Sequence, residues 1–600
     1  MPICSKGNRQ RFHAPVVEIR EHLSTKTTLS EKGTCSSTVT DNPTPQRPST
    51  LQLLTAFHSS APRWPGALRA ALAILLPGCV ALLLGYTNAI LLIATGAFAV
   101  IYGEGHPYRT RARIIAVAGT LLVIGSATGT LVGTLVFAPG HGHWWLILSA
   151  LFTVLLATAA AFVQNALRLP PPGGFFIVMV SGGSTMLARS GTHVGEVILW
   201  ACVGAGTAWI LGMAPSLLDK HGPERRVVDT LERAAEDYAN ADKDHLARHH
   251  QAQTALSNAW QSLADAGIVS GGRIINQSQS ELVRRTLAAQ RSIVRHNLRD
   301  DFGAAEALLT DTPNDIDPSR TVIPHSRPTV NYRLYRSAVR NGHAFITAER
   351  VFFAGLITAL LGVALGLGRP DWGAISVLLI LQWGPDRVPG TVRAIHRAAG
   401  SVLGVCLFAT FHYFGVWGWS LLLALAACQF FAEIFVVKNY AFCVIFSTPL
   451  ALLMGNSQAP ELAPVVGARM AEISLSILFA LLALWLYRPA SAALNHHRLQ
   501  IRCYESMGAL LGALLTETPQ QSLSQRRDLQ YELLSERRSI QSVGANQPHR
   551  LGEFSAQHEA IQHAGYQLLD FCNLAPDSQP GAADIRQLAD KVRMASPQAR

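Results

Sequence analysis

Arg393, Arg397, Gly400 and Gly404 follow one another at spacings of 4, 3 and 4. On an α-helix that spacing puts all four on one face. The face carries charge at one end and no side chain at the other. A guanidinium binds a carboxylate through two parallel N–H donors and keeps its charge at physiological pH. Arg393 and Arg397 are therefore candidates for a cationic vestibule that attracts an organic anion. The competing explanation is topological: arginines collect on the cytoplasmic side of a membrane and reach out to lipid headgroups. Gly400 and Gly404 form a GxxxG step, where another helix backbone can approach closely.

Two carboxylates stand in apolar surroundings, Glu433 and Glu472. A charge at the centre of a membrane helix costs about 2.5–3.5 kcal/mol on insertion scales. A buried carboxyl can instead exchange protons near neutral pH, which makes both residues candidates for proton coupling. The alternative is ion pairing near the interface, Glu472 with Arg469 and Glu433 with Lys438. Trp372, Phe411, Tyr413, Trp417 and Trp419 offer ring faces on which an aromatic acid could stack. Near helix ends the same rings serve as an interfacial belt. Asp244, His245, His249 and His250 put two histidines at i and i+4. No third ligand lies nearby, so a solvated polar face is expected there rather than a metal. The glycines of FFIVMVSGGSTMLARSG lack the lysine of a phosphate-binding loop. No nucleophile–base pair, metal set or cofactor motif emerges, so an enzyme is not expected.

The elements that must hold these residues are membrane helices. The chain has 600 residues, 49% hydrophobic and 15% charged, with a mean hydropathy of +0.22. Soluble domains carry about 25% charge. The nine cysteines show no CxxC, so no zinc site or disulfide framework is indicated. The net charge of +11 fits cytoplasmic loops facing a bilayer better than it fits a nucleic-acid partner. The fold class expected is all-α and polytopic.

Residues 1–62 read as a disordered cytoplasmic extension without a signal peptide. Residues 63–215 form a first membrane block, with helices near 67–84, 88–103, 112–137, 144–163, 174–188 and 194–214. Residues 216–349 read as a cytoplasmic helical domain, proline-broken over 303–330. Residues 350–488 form a second block, with helices near 350–367, 372–383, 393–414, 417–436, 439–455 and 467–487. Residues 489–600 are a C-terminal cytoplasmic helical region. Gly125, Gly129 and Gly133 repeat the GxxxG step in the first block. RTRARIIAVAGT corresponds to GTVRAIHRAAGS, with Ala116 at the place of Arg397 and Val123 at that of Gly404. Six helices per block make the two copies parallel rather than inverted. The arginine-rich loops place the N-terminus, the central region and the C-terminus in the cytoplasm, leaving Arg189, Arg369 and Arg469 toward the outside.

The second block also resembles a known family. Asp371, Trp372, Gly373, Ala374, Ile375 and Ser376, then Arg397, Gly400, Ser401 and Gly404, resemble the pattern of the fusaric acid resistance family, which includes aromatic acid exporters. Ser376 stands where the family has Thr, and Asp371 where it has an aromatic residue. The resemblance implies an inner- or plasma-membrane protein that exports aromatic or other small organic acids. It also admits a membrane-fusion partner or self-association. A passive organic-anion channel and a non-transporting membrane scaffold are the rival expectations.

Overall fold

The computed structural model describes residues 63–241, 245–270, 273–298, 329–456, 462–574 and 578–596. The extension over 1–62 and nearly all of the 303–330 stretch lie outside the described residues.

The first block holds α1 (Trp64–Leu83), α2 (Ala89–Ala97, extended by a 3-10 turn to Ile101), α3 (Tyr108–Val136), α4 (Leu146–Leu167), α5 (Phe175–Ser184) and α6 (Val194–Met213). Its polar successor holds α7 (Gly222–Ala239), α8 (His245–Ala266), a hairpin of β1 (Val269–Ser270) and β2 (Arg273–Ile274), α9 (Ser280–Leu298) and α10 (Val330–Ser337). The second block holds α11 (His343–Ala364), α12 (Pro370–Leu381), α13 (Arg387–Tyr413), α14 (Trp419–Phe435), α15 (Tyr440–Asn456) and α16 (Leu462–Leu486). The last region holds α17 (Ser491–Leu514), α18 (Leu523–Asn546), α19 (Leu551–Leu574) and α20 (Ala582–Met594).

Seven of these helices are long and apolar enough to cross a bilayer, and five shorter apolar helices accompany them. The side chains point the way lipid demands. On α3 the outward stripe is Val117, Leu121, Ile124, Leu131 and Leu135, all exposed, while Gly125, Ser126, Gly129, Thr130 and Gly133 are buried. Apolar outside and small inside inverts the pattern of a soluble helix. The short helices sit within. Every residue of α12 is buried, as expected of a helix that is apolar all round. Its twelve residues span roughly 18 Å, well short of the hydrocarbon thickness of about 30 Å. Such a helix ends inside the membrane, which is tolerated only where other helices cover its ends.

The same helix pairs pack in each block. The first helix packs on the second and sixth, the third on the fifth and sixth, and the fourth on the fifth. Between blocks, α1 packs on α14 and α4 on α11. Glycines bring third and fifth helices together. A Cβ on Gly129 would strike the carbonyl oxygen of Ser181 on α5, and one on Gly133 that of Thr185, which caps the end of α5. One on Gly400 would lie 2.7 Å from Val444 Cβ, and one on Gly404 2.7 Å from Thr448 Cβ, both on α15. Gly119, the sequence counterpart of Gly400, instead faces Ala205 of α6.

One boundary differs in a way that matters for the site. Helix α13, which carries Arg393 and Arg397, starts at Arg387 rather than near 393. Pro389 falls in its first turn, where a missing N–H costs nothing. Arg393 and Arg397 are thus well inside the helix and not at its mouth.

The polar regions form two bundles with separate cores. One is centred on Val228, Leu231, Tyr238, Trp260 and Leu263, the other on Met507, Leu510, Leu533, Tyr566 and Leu568. Arg285 on α9 bridges Glu232 and Asp229 on α7 at 2.8 and 2.7 Å. The last bundle also grips the adjoining loops of both membrane blocks. Asn546 donates to Asp386 at 2.7 Å and accepts from the Arg387 N–H at 2.7 Å, while Arg168 donates to Ser535 at 2.6 Å.

Candidate functional site

A cavity of about 220 Å3 lies where the blocks meet. Helix α13 brings Arg393 and Arg397, α12 brings Trp372, α14 brings Glu433, and α16 brings Arg469. Arg63, just ahead of α1, completes the charged lining. Four arginines therefore face one carboxylate, and the cavity is net cationic. Its remaining wall is largely aromatic and aliphatic, with Phe175, Phe176, Trp383 and Tyr440 among the rings.

Rings brace Arg393 and Arg469, and a hydroxyl braces Arg397. Arg393 sits 5.3 Å from the ring centre of Trp383 and 5.5 Å from that of Tyr440. Arg397, 3% exposed, donates from its terminal NH2 to Ser376 Oγ at 3.3 Å. Arg469 lies 4.1 Å over Trp372. A ring face attracts a cation without cancelling its charge or using its hydrogens. Among the described residues, one terminal nitrogen of Arg393, the Nε of Arg397 and the Nε of Arg469 are buried without a hydrogen-bond partner. Buried donors left unmade are costly, and an acceptor entering the cavity would find these free.

Glu433 pairs with Arg63 at 3.5 Å. The expected partner was Lys438; a spacing of five does not put the two on one helical face, and the first helix supplies the cation instead. Glu472 lies 3.8 Å from Arg469 and is 3% exposed, behind the wall of the cavity rather than on it. Arg469 itself is buried within α16, not placed outside as its position suggested. Trp372 lines the cavity, whereas Tyr413, Trp417 and Trp419 are largely exposed at helix ends, where a belt would lie.

A second cavity, of about 690 Å3, lies toward the other end of the bundle. Arg189, Glu196, Arg369 and Trp417 are on its wall. Successive helices alternate direction, so Arg63, Trp383 and Tyr440 mark one end of the bundle and Asn88, Arg189 and Trp417 the opposite end.

The histidine pair is not a solvated face. His249 and His250 are both 4% exposed, covered by α19. Asp244 and the side chain of His245 lie outside the described residues. His249 stands 3.9 Å from Asp570, and Asp570 accepts from Asn297 at 2.6 Å and Gln253 at 3.4 Å. Burial pushes the Asp570 carboxyl up to about 7, and burial, then Arg537, pushes His250 down to about 2. The periodicity of α8 alone could not reveal this, because the covering surface comes from another bundle.

Residues 355–483 match the family model described as fusaric acid resistance protein-like. The matched stretch runs from α11 to α16 and includes Trp372, Arg393, Arg397, Glu433, Arg469 and Glu472. In this stretch the chain is similar to that family, as the motif resemblance implied. The chain is also 24% identical over 468 residues to the uncharacterised membrane protein YvaC of Bacillus subtilis (strain 168), covering 67% of this chain and 68% of that protein. No solved structure matches the chain. The chain is a membrane protein with multiple apolar helices.

Sequence reasoning missed Arg63 and Arg469 as parts of the site. A usable signal existed for Arg469: an arginine inside an apolar helix is costly unless it faces the protein interior. Gln382 and Gln429, both on the cavity wall and both in apolar runs, carry the same weaker signal.

Proposed function

We propose that this protein is an integral membrane transporter that moves small organic anions, aromatic or other carboxylates, out of the cell. The observation that carries the reading is the cavity between the blocks, where four arginines meet one carboxylate and three of them keep unused N–H groups. A carboxylate would accept from Arg393, Arg397 and Arg469, and the apolar wall would take the body of the molecule. The arginine-bearing end, with both polar bundles, faces the cytoplasm. The shared helix pairing supports two like-oriented repeats, with the path between them. Glu433 and Glu472 are the carboxylates positioned to couple flux to protons.

A passive anion channel is the second reading, favoured by the second cavity beyond Trp372. Accumulation against a gradient separates the two. The test uses purified protein in liposomes with labelled aromatic carboxylates and matched neutral and cationic analogues at two pH values. Flux at least tenfold faster for the carboxylates is expected. Equal rates for all three classes, or no flux of any organic anion, would overturn the reading.

A further inference from the structure

The two cavities share three lining residues, Met179, Trp372 and Ala451. Trp372 is the largest of them and is 6% exposed. Arg469 lines only the first cavity and Arg369 only the second. Both guanidiniums rest on the same indole, Arg469 at 4.1 Å and Arg369 at 5.1 Å from its ring. The partition between the cavities thus includes a ring in contact with one cation from each cavity.

The two clamps are unequal. Arg369 spends its donors on Asp371 at 3.1 and 2.9 Å. Arg469 has Glu472 only at 3.8 Å, and among the described residues its Nε has no hydrogen-bond partner. The backbone beneath the ring is packed against α16: every residue of α12 is buried, and Ser476 Oγ, whose proton goes mainly to the Glu472 carbonyl at 2.5 Å, also lies 3.1 Å from the Gly373 carbonyl. Any opening therefore falls to the side chain.

We propose that Trp372 is the closed gate between an inner and an outer vestibule, and that a carboxylate reaching Arg469 opens it by drawing the guanidinium off the ring, which a monatomic halide without paired acceptor oxygens does not do. A carboxylate that accepts two charge-assisted hydrogen bonds outcompetes a ring face for the same cation. With one clamp gone, the indole is held only from the outer side and can swing. The inference rests on the anion path described above, and nothing in the family match assigns this role to the residue.

The experiment is chosen so that the two readings fail separately. Liposomes carrying the full chain and an iodide-quenched dye are tested without any organic acid. The wild-type protein is tight to iodide. Trp372→Ala leaks at least tenfold faster, Trp372→Phe stays tight because it keeps a ring, and Arg469→Gln leaks more than wild type but less than Trp372→Ala. Trp372→Ala as tight as wild type, at equal reconstitution and melting temperature, overturns the gate. So does a wild-type protein that leaks as fast as the variant. If Trp372→Ala fails to fold, Trp372→Leu takes its place: it retains bulk without the clamp and leaks several-fold, and a tight Trp372→Leu overturns the gate. A leak through Trp372→Ala in a protein that moves no organic acid leaves the gate standing and removes the transport reading.

Discussion

Arg397→Gln removes the most deeply buried of the α13 cations while keeping a polar side chain of similar reach. Its partners among the described residues are the neutral Ser376 hydroxyl at 3.3 Å and the neighbouring Tyr440 hydroxyl, both uncharged, and among those residues its Nε has no hydrogen-bond partner. The substitution thus relieves a buried charge and costs only bonds to neutral hydroxyls, so the melting temperature should hold or rise. For a carboxylate substrate it removes a charge-assisted hydrogen bond, about 1.5–3 kcal/mol. At 1.4 kcal/mol per decade, that is a rise of about 10- to 150-fold in the apparent KM for flux. The assay is concentration-dependent uptake of a labelled carboxylate into liposomes, beside a thermal melt in detergent. An unchanged KM with a lowered melting temperature would refute the reasoning, because it would make Arg397 a structural residue. Arg393→Gln should raise KM as well, and the double variant should abolish anion movement at normal levels of folded protein.

Three further outcomes follow from the geometry. Gly129→Leu drives a side chain into the Ser181 carbonyl and should cost at least about 1–3 kcal/mol of stability, read as a lost folded fraction by size-exclusion chromatography; Gly183→Ala, with open space at its Cβ, should leave that fraction unchanged. Glu433→Gln and Glu472→Gln should each weaken the response of flux to an imposed proton gradient, and unchanged dependence in both removes them from coupling. Asp570, raised by burial to about 7 from 3.8, favours the folded state fully below its unfolded pKa, and that contribution is lost as pH rises through 7. At 1.36 kcal/mol per unit this reaches about 4 kcal/mol at most. Wild-type melting of the polar bundles should therefore fall between pH 5 and pH 8, and Asp570→Asn should flatten the fall.

The membrane helices were legible because apolar runs are long, and the loop arginines and glycines lie in plain order along the chain. The pairing of Gly125, Gly129 and Gly133 with α5, and of Gly400 and Gly404 with α15, was legible only as a capacity for close packing; GxxxG names no partner. Arg393, Arg397 and Trp372 could be singled out locally, since type and spacing carry their signal. Arg63 could not, because it meets Glu433 across nearly the whole first half of the chain and more. The burial of His249 and His250 was hidden for the same reason: α8 looks solvated until α19 covers it. Arg387 begins α13 despite Pro385 and Pro389, since a proline in the first turn does not break a helix. For Arg63 and the histidines what escaped was a contact made by distant sequence; the start of α13 and the burial of Arg469 were local signals.

The central claim is a cationic cavity open toward the cytoplasm between two membrane blocks. Its most direct test is thiol accessibility of a Val436→Cys variant, on the cavity wall, with the native cysteines replaced. A membrane-impermeant anionic reagent should label it from the cytoplasmic side only, faster than a cationic reagent of equal size, and excess carboxylate substrate should slow the labelling. Labelling from outside, or faster labelling by the cationic reagent, would contradict the account.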